Sequence, residues 1–397
     1  MKTHQPPLPL QGIVVADFSR ILAGPLCTMM LADEGARVIK VEEPVRGDET
    51  RRWGPPFIGT ESSYFLSVNR SKESITLNLK SEDGRRVARK LIERADVVVE
   101  NFRRKQKEEF GLTPDAVRQI NPRAVLCSIN GFDSDSAEAD LAGYDLLAQA
   151  AGGLMSITGE RDGDPMKVGV ALSDVLTAHY AHGTICAALV GRERGGAAVP
   201  VEVSLFGSTV ASLINVAQNY LATGVNPRRY GNEHPSIVPY QPFRASDRMF
   251  VLAVASDRHF ELLCREILQR PDLADDPRFQ TNAARVRNRD PLLREMELIL
   301  VTRSADEWLR LCALRGIPAA RVQQLDEVFA GSDWMVETIT DPSIGALRIL
   351  RAPWKIGGRR SSAVSPAPQV GQHTDTILQE LGYSAEEVSD LRQKKVT

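Results

Sequence analysis

The sequence contains few cysteines and no long apolar segment, and each of these features excludes classes of protein. The five cysteines among 397 residues are scattered, odd in number and never spaced as C-x-x-C. This pattern argues against a disulfide framework or a cysteine zinc site, so we expect reduced, buried thiols. No window approaches the ~18 continuous apolar residues that span a bilayer, and the N-terminal MKTHQPPLPLQG lacks the apolar core of a signal peptide. We therefore expect a cytoplasmic protein without a membrane partner.

Neither sign of charge dominates the composition. The 49 Lys and Arg residues and the 51 Asp and Glu residues leave a formal net charge of −2. Because positive and negative charges are nearly equal in number, the protein has no global field that would attract nucleic acid, and we expect no nucleic-acid partner. This balanced composition is still compatible with a local basic pocket for a small anion.

The signature motifs of several enzyme classes are absent. There is no G-x-G-x-x-G after the first strand, no G-x-x-x-x-G-K-[ST], no G-x-S-x-G and no H-E-x-x-H. These absences argue against a nicotinamide enzyme, a P-loop enzyme, an α/β-hydrolase and a zinc protease. His179 and His182 lie one helical turn apart, but we identify no third ligand near them and predict no metal.

Short apolar β-rich segments alternate with helical patterns in the first part of the chain. Such alternation requires crossover connections and predicts a mainly parallel sheet with helices on both faces, which is a Rossmann-like α/β fold. The predicted strands are Gly12–Phe18, Arg37–Val41, Ser74–Leu79, Asp96–Val99, Ala124–Ile129, Val201–Leu205, Phe250–Val254 and Leu347–Leu350. The main predicted helices are Ala23–Asp33, Glu82–Arg94, Gly143–Met155, Asp174–Val190 and Phe206–Leu221.

A stretch rich in Gly, Pro and Asn, residues 223–242, indicates a long linker or an active-site loop. A second alternating unit of strand and helices follows it. We predict a large domain formed by residues 1–224 and 331–397, with a smaller α/β domain, residues 225–330, inserted between them.

Asp174 stands between an apolar, strand-like segment and a long apolar helix. This position places its carboxylate at or near a helix N-terminus, where backbone N–H groups and the helix dipole favour an anion. Two interpretations remain open at this point, an ordinary N-cap and an ionised carboxylate used as a nucleophile.

Nine segments, in order along the chain, carry a more specific signal. On them the chain resembles the family III CoA-transferases, the CaiB/BaiF group, and within it most closely the succinate–hydroxymethylglutarate (glutarate) CoA-transferases. The segments are DFSRILAGP (17–25), GARVIKVE (35–42), GDETRRWGPPF (47–57), NRSKESITLNLK (69–80), ADVVVENF (95–102), AGYDLLAQA (142–150), GDPMKVGVALSD (163–174), GNEHPSIVPYQPF (231–243) and VGQHTDTILQELG (370–382).

The resemblance implies that Asp174 is the catalytic carboxylate of a CoA-transferase. In that mechanism it attacks an acyl-CoA donor to form an aspartyl–acyl anhydride and then an aspartyl-CoA thioester. Coenzyme A is then a co-substrate, no metal takes part, and the substrates are acyl-CoA, with succinyl-CoA as the expected donor, and small dicarboxylic acids. The resemblance also implies a homodimer of two interlocked, ring-like subunits.

Tyr144 distinguishes this chain from the related α-methylacyl-CoA racemases, which the resemblance leads us to expect to carry His at this position. A phenol with a pKa near ~10 is a poor base at neutral pH, but it can donate a hydrogen bond to a carboxylate or thioester oxygen. We therefore predict Tyr144 as a catalytic residue. A structural core tyrosine, and racemase or isomerase activity, are the alternatives.

The resemblance also suggests residues that bind substrate or coenzyme A. Arg52, Arg70 and Lys72 offer donors that match phosphates and carboxylates, and His234 lies in the loop that is expected to shield the site. The other predicted binding residues are Leu22, Leu77, Lys80, Asn101, Phe102 and Arg104.

Two segments depart from the pattern of the family. RKQKEEFG (104–111) places Glu109 where relatives often carry a basic residue, a loss for which Arg104, Lys105 and Lys107 could compensate, and GFDSDSAEAD (131–140) adds acidic residues. These departures leave open a third alternative, a CoA-binding protein without turnover.

Overall fold

The computed structural model describes residues 7–361 and 363–397. The strands are β1 (Val14–Asp17), β2 (Arg37–Glu42), β3 (Phe57–Ile58), β4 (Glu61–Ser62), β5 (Lys72–Thr76), β6 (Val97–Glu100), β7 (Val125–Asn130), β8 (Val201–Ser204), β9 (Tyr240–Arg244), β10 (Met249–Ala253), β11 (Ala319–Arg321), β12 (Val336–Asp341) and β13 (Gly345–Leu350). The helices are α1 (Ala23–Asp33), α2 (Ser63–Val68), α3 (Glu82–Arg94), α4 (Arg104–Phe110), α5 (Pro114–Ile120), α6 (Asp145–Ala151), α7 (Leu154–Ile157), α8 (Leu172–Glu193), α9 (Leu205–Ser212), α10 (Ile214–Thr223), α11 (Asp257–Leu262), α12 (Pro271–Asp275), α13 (Asn282–Arg287), α14 (Arg289–Leu300), α15 (Ala305–Leu314), α16 (Leu325–Gly331), α17 (Thr374–Glu380) and α18 (Ala385–Gln393).

The chain divides into two compact units. Among the described residues, unit 1 comprises 7–154, 167–224, 332–361 and 363–397, and unit 2 comprises 155–166 and 225–331. The predicted large domain includes residues 155–166, whereas the structure groups this short segment with unit 2.

Unit 1 is built on a six-stranded sheet with the order β5-β2-β1-β6-β7-β8. Every pair of neighbouring strands is parallel, which confirms the predicted α/β fold with a parallel central sheet. β6 reads VVVE and is buried along its whole length, as expected for a strand covered on both faces. One face packs on α3, α5, α17 and α18, and the other on α1 and α8.

The strand order reverses direction between β1 and β6, and this determines where a ligand can bind. From β1 the chain crosses to β2 on one side, whereas β6 lies on the other side. In open parallel sheets a crevice forms outside the carboxyl ends of the strands at such a switch point. The segments after Asp17 and Glu100 therefore border the expected site.

The C-terminal segment returns to the edge of this sheet. His373 donates its backbone N–H to the Ser74 carbonyl at 2.9 Å, and the Thr76 N–H donates to the Thr374 hydroxyl at 3.1 Å. Both ends of the chain thus contribute to unit 1.

Unit 2 has a core of its own around the antiparallel sheet β11-β10-β9. Phe250, Leu252 and Trp308 are fully buried there, and the Trp308 indole donates to the Leu300 carbonyl at 2.8 Å. Burial of large apolar side chains with their polar atoms paired is sufficient to define a compact unit.

Several predicted elements differ from the structure. The segment before Asp174 is irregular rather than a strand, and the predicted helices 143–155 and 206–221 are each divided in two. The second break lies at Leu213–Ile214, where Ile214 has a φ of +39°. Of the hairpin β12–β13, the strand Leu347–Leu350 is predicted and lies within β13, whereas β12 is not predicted. Within the described residues, no helix has the length and apolar character needed to cross a membrane.

Candidate active site

The turn that joins β1 to α1 forms one wall of the switch-point crevice. Ile21 has a φ of +74°, a costly conformation for a β-branched residue. The Ile21 N–H donates to the Asp48 carboxylate at 3.2 Å, and the Asn101 amide pairs with both the backbone N–H and the carbonyl of Arg20 at 3.0 and 2.8 Å. These contacts hold the turn and orient the first N–H groups of α1.

A fully buried ionic network lies beneath this turn. Lys40 contacts Asp48 at 2.9 Å and donates to the Ser19 carbonyl at 2.9 Å, while Lys72 contacts Asp17 at 3.1 Å. Burial by itself would raise the pKa of Asp48, but Lys40 and the hydrogen bonds from Thr50 outweigh burial and lower this pKa to about 2. Asp48 is therefore a permanent anion that holds the turn.

Asp174 is the third residue of α8 and faces the other side of the same turn. It is half-buried, and the Ala23 backbone N–H lies close enough to its carboxylate to lower the pKa of this group. Burial, followed by the neighbouring charge of Asp145, raises the pKa of Asp174 to about 7, and the Ala23 N–H opposes this shift only in part. Asp174 is not the N-cap of its helix, a position held by Ala171.

Asp145 fixes the start of α8. One of its carboxylate oxygens accepts from the Ser173 N–H at 2.8 Å and the other from the Gln149 amide at 2.8 Å. The Gln149 side-chain oxygen in turn accepts from the Val168 N–H at 2.9 Å. Asp145 therefore positions the helix that carries Asp174 and also raises the pKa of that residue.

Two tyrosines lie close to the Asp174 carboxylate. Tyr144 directly precedes α6, is about half exposed and lines the same cavity as Asp174, so the structure brings together the two predicted catalytic residues. Burial and the charges of Asp174 and Asp145 raise the pKa of Tyr64 to about 12. Its phenol thus keeps its proton near neutral pH and can donate a hydrogen bond.

A cavity of about 600 Å³ opens beside Asp174, Tyr144 and Ala23. This volume lies within the range of ~300–1,000 Å³ that is typical of ligand sites. Three of the predicted binding residues line it, namely Asn101, Phe102 and Arg104. A second cavity of about 160 Å³ contains the predicted residues Leu77 and Lys80. Arg20 and Phe102 line both cavities.

Four predicted binding residues in unit 1 line neither of these cavities. Leu22 is a buried residue at the N-cap of α1, and Arg52 is exposed to solvent. Arg70 is buried and forms an ion pair with Asp33, and Lys72 is enclosed in the ionic network. Since the charges of Arg70 and Lys72 are already neutralised in the interior, we do not carry them forward as ligands.

His234 lies in unit 2, in the segment between α10 and β9 that contains neither helix nor strand. Its ring Nδ1 accepts from the Ser236 N–H at 3.1 Å, and the ring packs beside Tyr240. Arg289 donates to the His234 carbonyl at 3.0 Å. The contact of His234 with substrate stays a prediction.

The two departures from the family pattern lie at the cavity. Lys107 lines it, contacts the buried Glu100 at 2.9 Å and donates to Asn130 at 2.8 Å, whereas Glu109 does not line it. The acidic segment begins at Gly131, whose backbone closely approaches that of Gly143, three residues beyond the end of the segment, because a Cβ on Gly143 would lie 2.1 Å from the Gly131 Cα. Only glycine permits such an approach.

Sequence reasoning missed Arg20, Tyr64 and Asp145 as site residues. Arg20 lies in the segment DFSRILAGP and Asp145 in AGYDLLAQA, which both support the family resemblance, and Tyr64 follows the end of GDETRRWGPPF by seven residues. Position in or near these segments is the only signal in the sequence that could have identified the three residues, because tertiary contacts bring their side chains to the site.

Comparisons with known proteins agree with this geometry. The family model described as CoA-transferase family III matches residues 10–374. The chain is 40% identical to succinyl-CoA:glutarate CoA-transferase from Mus musculus, over 94% of this chain and 86% of that protein. It is 38% identical to succinate–glutarate CoA-transferase from Agrobacterium fabrum, over 94% and 96% of the two chains.

Among solved structures, a CAIB/BAIF family protein from Brucella suis superimposes with a TM-score of 0.85 at 39% identity, over 95% of this chain and 100% of that one. This chain and the Brucella suis protein share the mixed α/β fold with its parallel central sheet. On this family match, on these identities and on the shared fold, the chain belongs to CoA-transferase family III.

Proposed function

We propose that the protein transfers coenzyme A from succinyl-CoA to a small dicarboxylic acid, with Asp174 as the covalent carrier. The observation that carries this proposal is a half-buried carboxylate of raised pKa at the wall of a 600 Å³ cavity. The names of its relatives supply the substrate class, since they include succinyl-CoA:glutarate and succinyl-CoA:mesaconate CoA-transferases.

The proposed reaction exchanges one thioester for another. The Asp174 carboxylate attacks the thioester carbonyl of the donor, the C–S bond breaks, and CoA thiolate leaves a mixed anhydride. The thiolate attacks the aspartyl carbonyl, which releases the donor acid and forms aspartyl-CoA. The acceptor carboxylate attacks this thioester, the thiolate leaves, and its return to the acceptor carbonyl frees Asp174. The sequence of steps consumes no proton and no ATP.

The environment of Asp174 suits these steps. Partial burial removes water that would stabilise the carboxylate in the ground state, which makes the anion more reactive. The Ala23 N–H at the start of α1 is a fixed donor for charge that develops on the aspartyl oxygen. Tyr64 and Tyr144 are proposed to donate to the thioester or carboxylate oxygens as the tetrahedral centres form.

Racemase activity is the main alternative, and the cavity gives little support for it. A two-base racemase needs basic groups on opposite sides of the α-carbon. Among the described residues that line the cavity, none is a histidine, and Tyr144 stands where the racemases are expected to carry one. Incubation of an α-methylacyl-CoA in deuterated water tests this, because a racemase exchanges the α-proton and a transferase does not.

We also propose that two chains form an interlocked homodimer. The helix α10 buries none of its residues within the chain, and Ile214 and Leu221 are 73% and 75% exposed. Apolar helices that remain uncovered in one chain are typical of interfaces. Light scattering at micromolar concentration should give the mass of two chains, and a monomer would overturn the dimer.

The covalent intermediate provides the most direct test of the function. After incubation with succinyl-CoA, hydroxylamine trapping and peptide mass mapping should place a single adduct on Asp174. Labelled glutarate, mesaconate and related acids should then appear as CoA thioesters in proportion to the labelled succinate released. Coenzyme A binding without any label transfer would instead support a binding protein without turnover.

A further inference from the structure

Three potential metal ligands meet on the side of the α1–α8 helix pair. His182 Nε2 lies 3.0 Å from a Glu34 carboxylate oxygen and 3.9 Å from the Cys186 sulfur. One donor atom from each of the three residues lies within 4.8 Å of the other two. All three side chains are partly exposed, so an ion can reach them from solvent.

These separations are close to those of a tetrahedral zinc site. With Zn–S of ~2.3 Å and Zn–N or Zn–O of ~2.0–2.1 Å, neighbouring ligand atoms are separated by about 3.3–3.6 Å. Small side-chain rotations therefore bring the three donors to the required distances. The donor set, one thiolate, one imidazole and one carboxylate, suits Zn²⁺ and not Mg²⁺ or Ca²⁺, which prefer oxygen ligands alone.

The backbone supports the ligands from two directions. His182 and Cys186 are four residues apart on α8, so they share one helix face. Glu34 is the C-cap residue of α1, and α1 and α8 pack through the core that contains Cys27, Leu31 and Ile185. Trp354 stacks beside the His182 ring at 6.4 Å between centroids and limits its movement.

We propose that Glu34, His182 and Cys186 bind one Zn²⁺ ion or a similar thiophilic divalent cation, with water as the fourth ligand. Cys186 binds as the thiolate and His182 through the unprotonated Nε2, so the protons that these two atoms carry pass to solvent as the ion displaces the His182–Glu34 contact. The ion would join the C-terminal end of α1 to the middle of α8.

This site is structural and separate from the transfer chemistry. Asp174 and His182 are eight residues apart on one helix, which corresponds to ~12 Å along the axis. An ion at that distance cannot polarise a thioester held at Asp174. It can, however, clamp the two helices whose other ends supply the Ala23 N–H and the Asp174 carboxylate.

The sequence analysis predicted no metal because it paired His182 with His179. In the structure the exposed His179 ring lies 2.8 Å from the carbonyl of Val175 and does not belong to the cluster. The ligand that completes the site, Glu34, is 148 residues distant from His182, and no local spacing indicates it.

Co²⁺ titration of the metal-stripped full-length protein tests the proposal. We expect one equivalent to produce a sulfur-to-cobalt charge-transfer band and the visible bands of a tetrahedral centre. Cys186→Ser should abolish the charge-transfer band, and Glu34→Gln and His182→Ala should each weaken Zn²⁺ affinity at least ~10-fold in competition with a chelator. His179→Ala, on the same helix, is the matched control and should leave affinity and spectrum unchanged.

Thermal unfolding supplies a second measurement that does not depend on the visible absorption of Co²⁺. One equivalent of Zn²⁺ should raise the Tm of the parent protein and of His179→Ala but not that of His182→Ala. The proposal is overturned if the parent protein binds no stoichiometric ion, or if the charge-transfer band persists in Cys186→Ser. The transferase activity of the parent protein plays no part in either measurement.

Discussion

Two aspartates lie on opposite sides of the turn between β1 and α1, and their pKa values shift in opposite directions. Asp48 accepts from the Ile21 N–H, and Asp174 lies near the Ala23 N–H, two residues further along. Lys40 pairs with Asp48 and lowers its pKa to about 2, whereas Asp174 has burial and Asp145 beside it and a pKa raised to about 7. The difference shows that the partner, and not burial itself, separates a carboxylate that stays ionised from one that holds its proton up to near neutral pH.

Substitution of Asp174 should have the largest effect, which is on the rate of transfer. Asp174→Asn should lower kcat by at least ~10³, because an amide cannot act as the nucleophile. Steady-state transfer from succinyl-CoA measures this, with circular dichroism to establish that the variant is folded. Asp115→Asn, on the exposed surface of α5, should retain full activity. A fully active Asp174→Asn enzyme would refute the proposed role.

Substitution of Asp48, the other member of the pair, should affect the stability of the fold. Asp48→Ala leaves Lys40 buried without its nearest partner and removes the acceptor of the Ile21 N–H. We expect the free energy of unfolding to fall by about 3–5 kcal/mol, measured by urea unfolding at a fixed protein concentration. Asp115→Ala, which breaks the exposed pair with Arg118, should cost ~1 kcal/mol or less. Equal losses in the two variants would remove the contrast between the sites.

The stability of Asp174→Asn should depend on pH. Because the pKa of Asp174 is raised in the folded protein, the folded state binds this proton more tightly, and the resulting stability is lost as pH rises from 3.8 to about 7. The variant should therefore match the parent below about pH 4 and exceed it above pH 7. The rise of this pKa from 3.8 to about 7 corresponds to about 4 kcal/mol, and solvent screening of this half-buried group reduces the expected difference to about 2 kcal/mol. Unfolding free energies at pH 4, 6 and 8 measure the trend, and a variant less stable than the parent at pH 8 would contradict it.

The smallest effect concerns the contribution of Asp145 to the pKa of Asp174. The rate of adduct formation should rise with pH through about 7 as Asp174 ionises. In Asp145→Asn the loss of the neighbouring charge should move this midpoint downward by about one pH unit or less, while the amide oxygen can still accept from the Ser173 N–H. Single-turnover acylation between pH 5 and 9 measures the midpoint. A midpoint that does not move would show that burial accounts for the whole shift.

Local pattern predicted the architecture well. The helix Glu82–Arg94 has the predicted bounds, and both ends of each of the strands β1, β2, β6 and β7 lie within two residues of the predicted limits. Their continuous apolar residues indicated a sheet covered on both faces, as the structure shows. The predicted helix 206–221 was wrong at Leu213–Ile214, because a break between two apolar helices leaves the hydrophobic period nearly unchanged.

Prediction of the candidate site was less complete. Asp174, Tyr144, Asn101, Phe102 and Arg104 line one cavity, and their roles stay predictions. Arg70 and Lys72 were chosen for their charge, yet each is buried against an acidic partner. A basic residue in a sequence does not reveal whether its partner is a ligand or another side chain, because that partner is brought close only by the fold.

The sequence by itself determined the parallel α/β sheet, the family and the identity of the aspartate at the start of α8, because strand and helix periods and short motifs are local properties. Only the tertiary structure decided which carboxylate is neutralised by a lysine and which is left beside another acid. It also brought Glu34 to His182 and Cys186. Burial and Coulomb interaction depend on distance in space, and residues far apart along the chain become neighbours only when the chain is folded.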